Sequence, residues 1–305
     1  MFTSMNASVY NIPVCKPFSW EECLWYLDRE FDDSMYQVYP DKVRRAFHFN
    51  GQNILVDVIF TGDALQVKWL VGNPEPDSIA CVNDFILNWF NPDTDLTAFY
   101  KLLKNRKELA YMPEAFNGLH FIGIPDLFES LVWTIMGQQI NLHFAYKIKR
   151  RMVETYGSSV EFEGIHYWIF PSPEIVATLS VSELRAHQLS ARKAEYLLNI
   201  ARAFLNGTLS KQILLNLPDL EARLKLLTGI KGIGIWTANY VLMKSLKENT
   251  AVPYGDAGLQ KALIAHDIIA DKNDTAGISL FYESMNGWQS YMSLYLWRSM
   301  AKKNL

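Results

Sequence analysis

The stretch LLTGIKGIGIWTANY, residues 226–240, constrains this chain more than any other. Gly229, Gly232 and Gly234 interrupt two helical patterns within six residues. A glycine inside a helix costs about 1 kcal/mol relative to alanine, so glycines this close together predict a tight hairpin between two helices. The hairpin covers about 228–234, after which IWTANYVLMKSL resumes a helical period. Such a turn presents free backbone N–H groups at a helix start, where phosphate binds well. Glycines also let a bulky anion approach the backbone. A plain helix–helix turn with close packing would use the same glycines, and from them alone both readings stay open.

The chain changes character along its 305 residues, a length that predicts roughly two domains. FSWEECLWYLDREF (18–31) starts at a serine cap with two glutamates in its first turn and predicts a short helix. Residues 43–50, 53–60 and 64–71 read as three strands joined by Asn50-Gly51 and Thr61-Gly62-Asp63, hence an antiparallel sheet. Helices follow near 78–90 and 94–105. From about 110 the β signals fade, and 125–157, 180–190, 191–207, 218–227 and 275–303 read as helical. The expected fold is α+β: a mixed α/β domain with an antiparallel sheet over 1–112, then an all-helical domain over 113–305.

The net charge of −3 hides an asymmetry. Residues 1–100 hold 6 Lys/Arg against 14 Asp/Glu, whereas 181–247 hold 10 against 4. An acidic front and a locally basic back fit two units, the second able to face an anion. Several classes are excluded. There is no uncharged apolar run of membrane-spanning length and no signal-peptide pattern at the start. The three cysteines, Cys15, Cys23 and Cys81, make no metal ligand set by spacing and suit a reducing cytosol. The six histidines show no metal-ligand spacing either.

The run Leu-x-Gly-Ile-Lys-Gly-Ile-Gly-x-Trp-Thr-Ala-x-Tyr over 227–240 resembles the helix–hairpin–helix of base-excision DNA glycosylases, with the 3-methyladenine DNA glycosylase II branch most similar. Residues 128–157, 170–209, 252–263 and 286–297 resemble further stretches of that family in the same order, so the likeness covers about 115–300. It implies a helical glycosylase body behind the sheet. It also implies a monomeric, cytoplasmic and nucleoid-associated DNA repair enzyme that acts on damaged double-stranded DNA without a required cofactor.

Breaking an N-glycosidic bond gives the sugar oxocarbenium character, which a nearby carboxylate stabilises while it orients or deprotonates water. Asp256, 20 residues after Trp236, stands where the family places its catalytic aspartate, and it would also cap the helix AGLQKALIAH. Gly255 departs from the second acid that many members carry there. Bifunctional members have a lysine nucleophile where this chain has Trp236, so the resemblance implies a monofunctional enzyme that leaves an intact abasic site. Trp236 and Tyr240, four apart, share a helix face, and Trp288 matches another pocket aromatic, with Trp297 on the same helix as its competitor. Electron-rich rings suit an alkylated, positively charged purine.

The target base must leave the duplex, and by resemblance the gap is filled from the Gly137-Gln138-Gln139 turn. Gly229, Lys231, Gly232 and Gly234 would hold the DNA backbone, and the carbonyls of Thr228, Ile230 and Ile233 match a monovalent-cation site. Lys147, Lys149, Arg150 and Arg151 lie on one helix and are candidates for extending the basic track, with a solvated helix face as the alternative for at least two of them. No cysteine lies beyond Cys81, which leaves no ligands for the iron–sulfur cluster of some relatives. A glycosylase for deaminated or oxidised purines and a non-catalytic DNA-binding protein remain the alternatives.

Overall fold

The computed structural model describes residues 8–28, 31 and 33–301. The front unit runs β1 (Val9–Pro13), α1 (Trp20–Leu27), β2 (Tyr36–Val38), β3 (Lys42–Phe49), β4 (Gln52–Phe60), β5 (Ala64–Val71), α2 (Pro76–Phe90), α3 (Thr97–Lys104) and α4 (Met112–Ala115). The remainder runs α5 (Leu127–Gly137), α6 (Leu142–Tyr156), β6 (Ser158–Phe162), β7 (Ile165–Ile169), α7 (Pro173–Thr178), α8 (Val181–Ala186), α9 (Ala191–Leu205) and α10 (Lys211–Leu215). It closes with α11 (Leu220–Thr228), α12 (Ile235–Leu246), α13 (Ala257–Ala265), α14 (Thr275–Glu283) and α15 (Gln289–Met300).

The three expected strands form the centre of an antiparallel five-stranded sheet in the order β1-β5-β4-β3-β2. Alternation along β3–β5 buries Val43, Ile54, Val56, Val58, Leu65 and Val67 on one face, against Val82, Ile86 and Trp89 of α2. Edge strands β1 and β2 escaped notice because five and three residues give too short a run to show a period. Ser19 caps α1 as expected, accepting from Glu22 N at 3.1 Å. The expected extension of that helix over 29 and 30, and the last residues of the expected C-terminal helix, 302 and 303, lie outside the described residues.

Behind the sheet the body is mostly helical rather than wholly so. Residues 158–169 make a two-stranded hairpin, β6–β7, turning at Glu163 and Gly164, both with positive φ. The segment 275–303, expected to be helical, holds two helices, α14 and α15, parted at Asn286 and Gly287, again both at positive φ. Nor do the hydrophobic contacts part at residue 112. Leu96, Phe99, Leu103 and Leu109 pack with the helical body, while Ile122 packs with the sheet.

Candidate active site and DNA-facing surface

Gly234 is the N-cap of α12 and brings no side-chain acceptor, so the first turn of that helix keeps its N–H groups for another partner. Gly229 caps the end of α11. Gly232 is glycine for two reasons: its φ is +108°, and a Cβ there would overlap the Tyr196 ring of α9. Lys231 is exposed at the tip. The Ile230 carbonyl accepts from Ile233 N at 3.0 Å. The carbonyls of Thr228 and Ile233 accept no hydrogen bond among the described residues. No cluster of three or more His, Cys, Asp or Glu that could hold a metal occurs among the described residues.

From α12 the chain is led to Asp256 by a series of side-chain bonds. Asn239 donates to Ile235 O at 3.0 Å and accepts from Val252 N at 3.3 Å. Ser290 Oγ donates to Glu248 O and Ala251 O at 2.7 and 2.9 Å. Gly255 then takes φ +87° with nothing near its missing Cβ, so backbone conformation rather than space selects glycine there. Asp256 is the N-cap of α13. Its Oδ1 accepts from Leu259 N at 2.9 Å and from Trp297 Nε1 at 3.0 Å. Both bonds use one oxygen; Oδ2 has no hydrogen-bond partner among the described residues. A cap and an indole thus fix the carboxylate while leaving it an unengaged acceptor.

Asp256 opens into a cleft of about 790 Å³ whose lining includes Trp236, Tyr240, Trp297 and Trp133. The Trp236 and Tyr240 rings stack with centroids 5.5 Å apart, as the four-residue spacing requires, and Trp297 lies 6.3 Å from Tyr240. Trp288 is not brought here. It stacks on Phe99 at 5.4 Å and meets Tyr291 edge-on, within the helical core. The expectation for Trp288 therefore passes to Trp297. The reason is helical phase, since nine residues along α15 separate a ring facing α3 from one facing α13. Gly258 was also missed: a Cβ there would stand 3.1 Å from Asp256 Oδ1 and 3.3 Å from Trp297 Cδ1, so a small residue is needed where the two meet.

The same cleft is lined by a buried ion cluster that the sequence did not disclose. Lys149 Nζ lies 2.9 Å from Asp33 Oδ1 and 3.1 Å from Glu129 Oε1, and Arg45 Nη2 donates to Glu129 Oε2 at 2.8 Å. Arg45 also lies over the rings of Phe85 and Trp89. Burial alone would raise the Glu129 carboxyl, but the charges of Lys149 and Arg45 outweigh it and hold that group below its ordinary value. This removes Lys149 from the four candidates for extending the basic track. Lys149 is 2% exposed and fully engaged and Arg150 pairs with Glu154, while Lys147 and Arg151, which donates to Gln188, are exposed.

At the α5–α6 turn the two glutamines separate. Gln138 Nε2 donates to Thr237 Oγ1 at 3.2 Å, tying the turn to α12. Gln139 is exposed, with φ +57°.

A sheet ahead of a helical body, a glycine hairpin with open N–H groups, and a capped aspartate beside an aromatic cleft define the architecture of a helix–hairpin–helix glycosylase. The family model "HhH-GPD superfamily base excision DNA repair protein" matches residues 132–282. The chain is 37% identical to the DNA-3-methyladenine glycosylase of Bacillus subtilis over 284 residues, 90% of this chain and 91% of that protein. It is 30% identical to DNA-3-methyladenine glycosylase 2 of Escherichia coli, over 59% of this chain and 60% of that one. The solved 3-methyladenine DNA glycosylase from Archaeoglobus fulgidus superposes with a TM-score of 0.82 at 22% identity, covering 95% of this chain and 97% of that one. The chain belongs to the HhH-GPD superfamily of base excision DNA repair proteins.

Proposed function

We propose that this protein is a monofunctional DNA-3-methyladenine glycosylase of base excision repair. It hydrolyses the N-glycosidic bond of alkylated bases flipped out of damaged duplex DNA. The observation that carries the reading is Asp256, fixed by the α13 cap and Trp297 Nε1 at an aromatic cleft, with one carboxylate oxygen unengaged. As the bond lengthens, positive charge develops on the sugar; a carboxylate already oriented stabilises it without reorganisation and aligns the attacking water. A base alkylated on its ring carries charge of its own, and electron-rich faces such as those of Trp236, Tyr240 and Trp297 attract it by about 0.5–2 kcal/mol.

Lys231 and the N–H groups of Gly232 and Gly234, with Gly229 ending α11, hold the DNA backbone. Such contacts position without reading sequence. Gln139, exposed at the turn, fills the gap left by the flipped base, whereas Gln138 braces the turn against α12. Thr228, Ile230 and Ile233 are the carbonyls that would hold a monovalent cation beside the phosphate. Trp236 stands where a Schiff-base nucleophile would be needed. Of the cleft lysines, Lys149 is held by two carboxylates, while Lys261 is exposed on α13. We take the working form to be a cytoplasmic, nucleoid-associated monomer; among the described residues no helix is long and apolar enough to cross a membrane.

Asp256→Asn tests the assignment. Asparagine still caps a helix, so folding and DNA binding stay near wild type. Release of 3-methyladenine from alkylated duplex falls by about 10²–10³-fold, as for loss of a transition-state electrostatic contact. Release at the wild-type rate would overturn the role of Asp256. Borohydride treatment during turnover traps no protein–DNA adduct; a trapped adduct lost in Lys261→Ala would show lyase chemistry instead.

A further inference from the structure

Helix α9 lies beneath both DNA-facing loops. Lys193 Nζ donates to the carbonyls of Met136 and Gln138, at 2.9 and 2.6 Å. These are carbonyls of the last turn of α5 and its C-cap, where a cation also meets the negative end of the helix dipole. One turn further along α9, the Tyr196 ring occupies the space that a Cβ on Gly232 would need. Positions three apart share a helix face, so one face of α9 carries the support of the turn and the floor of the hairpin. Between them, Gln138 Nε2 reaches Thr237 Oγ1 of α12. Gln139, next to the clamped carbonyl, holds φ +57°, a conformation that costs a non-glycine residue roughly 1–2 kcal/mol and persists only where its surroundings impose it.

We propose that Lys193 is a positioning residue for base flipping: it clamps the Met136 and Gln138 carbonyls so that Gln139 is held out at a fixed distance from the phosphate-binding hairpin. The inference rests on Gln139 being the gap-filling residue. The clamp matters when a duplex must be opened and is idle when the base is already unstacked, which separates it from a general role in stability or in the cleft. The half-buried ammonium suits the task. It is partly desolvated, so bonds to two carbonyls are strong for their size.

The experiment compares release of methylated base from alkylated duplex and from the same alkylated strand unpaired, for wild type, Lys193→Met, Lys193→Arg and Gln139→Ala. Loss of a charge-assisted clamp is expected to slow duplex release about tenfold in Lys193→Met. Single-strand release stays within about twofold of wild type, which also shows that the variant is folded. Lys193→Arg, which keeps the donors, recovers most of the duplex rate, and Gln139→Ala repeats the duplex-selective loss. Equal loss on both substrates in Lys193→Met, or none on duplex while Gln139→Ala is impaired, overturns the clamp and leaves the wedge standing. Unchanged duplex release in Gln139→Ala overturns the wedge reading itself, and the clamp with it.

Discussion

The lining of the cleft divides in two. One part, Trp236, Tyr240, Asp256 and Trp297, comes from the second half of the chain and is held by neutral or singly charged bonds: a helix cap, an indole N–H and ring stacking. The other part sets Asp33 and Arg45 of the sheet unit against Glu129 and Lys149 of α5 and α6. There four charged side chains, each with little exposure, neutralise one another. The first arrangement leaves one carboxylate oxygen without a hydrogen-bond partner among the described residues, beside three rings that line the cleft. The second spends its donors and acceptors internally and joins the two units across the cleft. Both line one cavity, and the buried, charged half is the one whose atoms are all engaged, so a buried ionisable group is not by itself a mark of chemistry. What separates the two is whether an atom is left over.

The strongest way to break this contrast is to remove one charge from the ion cluster. Lys149→Met leaves Glu129 and Asp33 buried without their common partner. Breaking such a cluster costs about 3–5 kcal/mol, read as a shift of the urea midpoint at unchanged slope. A loss under about 1 kcal/mol would mean that the cluster holds nothing together. Acid gives an independent reading. The Glu129 carboxyl is held below its ordinary value of 4.5 in the folded chain. Its contribution is therefore complete above that value and lost as pH falls through the lower, folded one. The stability gap between wild type and Glu129→Gln should be constant near neutrality and close on acidification below pH 4.5. A gap that persisted in acid would assign it to packing rather than charge.

The two halves of the lining were unequally legible for a physical reason. The hairpin, Asp256 and the Trp236–Tyr240 pair are set by local rules: glycine conformations, an N-cap, a four-residue helical repeat. Each of these acts over a few residues and leaves a pattern in the chain. The central strands β3–β5 were visible in the same way, through alternation between short turns. Lys149 sits in a run of basic residues and reads as solvated surface. Only the arrival of Asp33, more than a hundred residues earlier, and of Glu129 turns it inward. Nothing local distinguishes it from Lys147 two positions away, which stays exposed. The β6–β7 hairpin was missed similarly. SSVEF and IHYWI alternate weakly, and β7 owes its place to packing of Tyr167 with Ala46 and Leu55 of the main sheet. In α15, local rules identified a helix bearing two tryptophans but could not say which one faced the cleft.

Trp297→Phe sharpens the first half of the comparison. It keeps a ring in the cleft and removes the N–H that bonds Asp256 Oδ1. A hydrogen bond to a charged group contributes about 1.5–3 kcal/mol, so the rate of base release should fall at least about tenfold. The chemical step carries the loss and DNA affinity does not. If affinity fell and the single-turnover rate did not, Trp297 would be a base-stacking surface and the carboxylate would be fixed by its cap alone.

Trp288→Phe gives the smallest effect and decides between the two tryptophans of the C-terminal segment. The ring stacks on Phe99 and meets Tyr291, away from Asp256, and phenylalanine preserves most of that contact. Trimming the indole to a phenyl ring costs less than the roughly 3–5 kcal/mol of full truncation to alanine, so the melting temperature should drop by several degrees at most. Base release measured well below that temperature should match wild type for every alkylated base tested. A change in the relative rates for different bases would show that Trp288 senses the substrate after all. Such coupling would have to pass through α15, where Trp288 stands at the N-cap and Trp297 lies nine residues on. The same measurement on Trp297→Phe then serves as the internal standard. One helix carries both rings, and only the ring bonded to Asp256 should alter the chemistry.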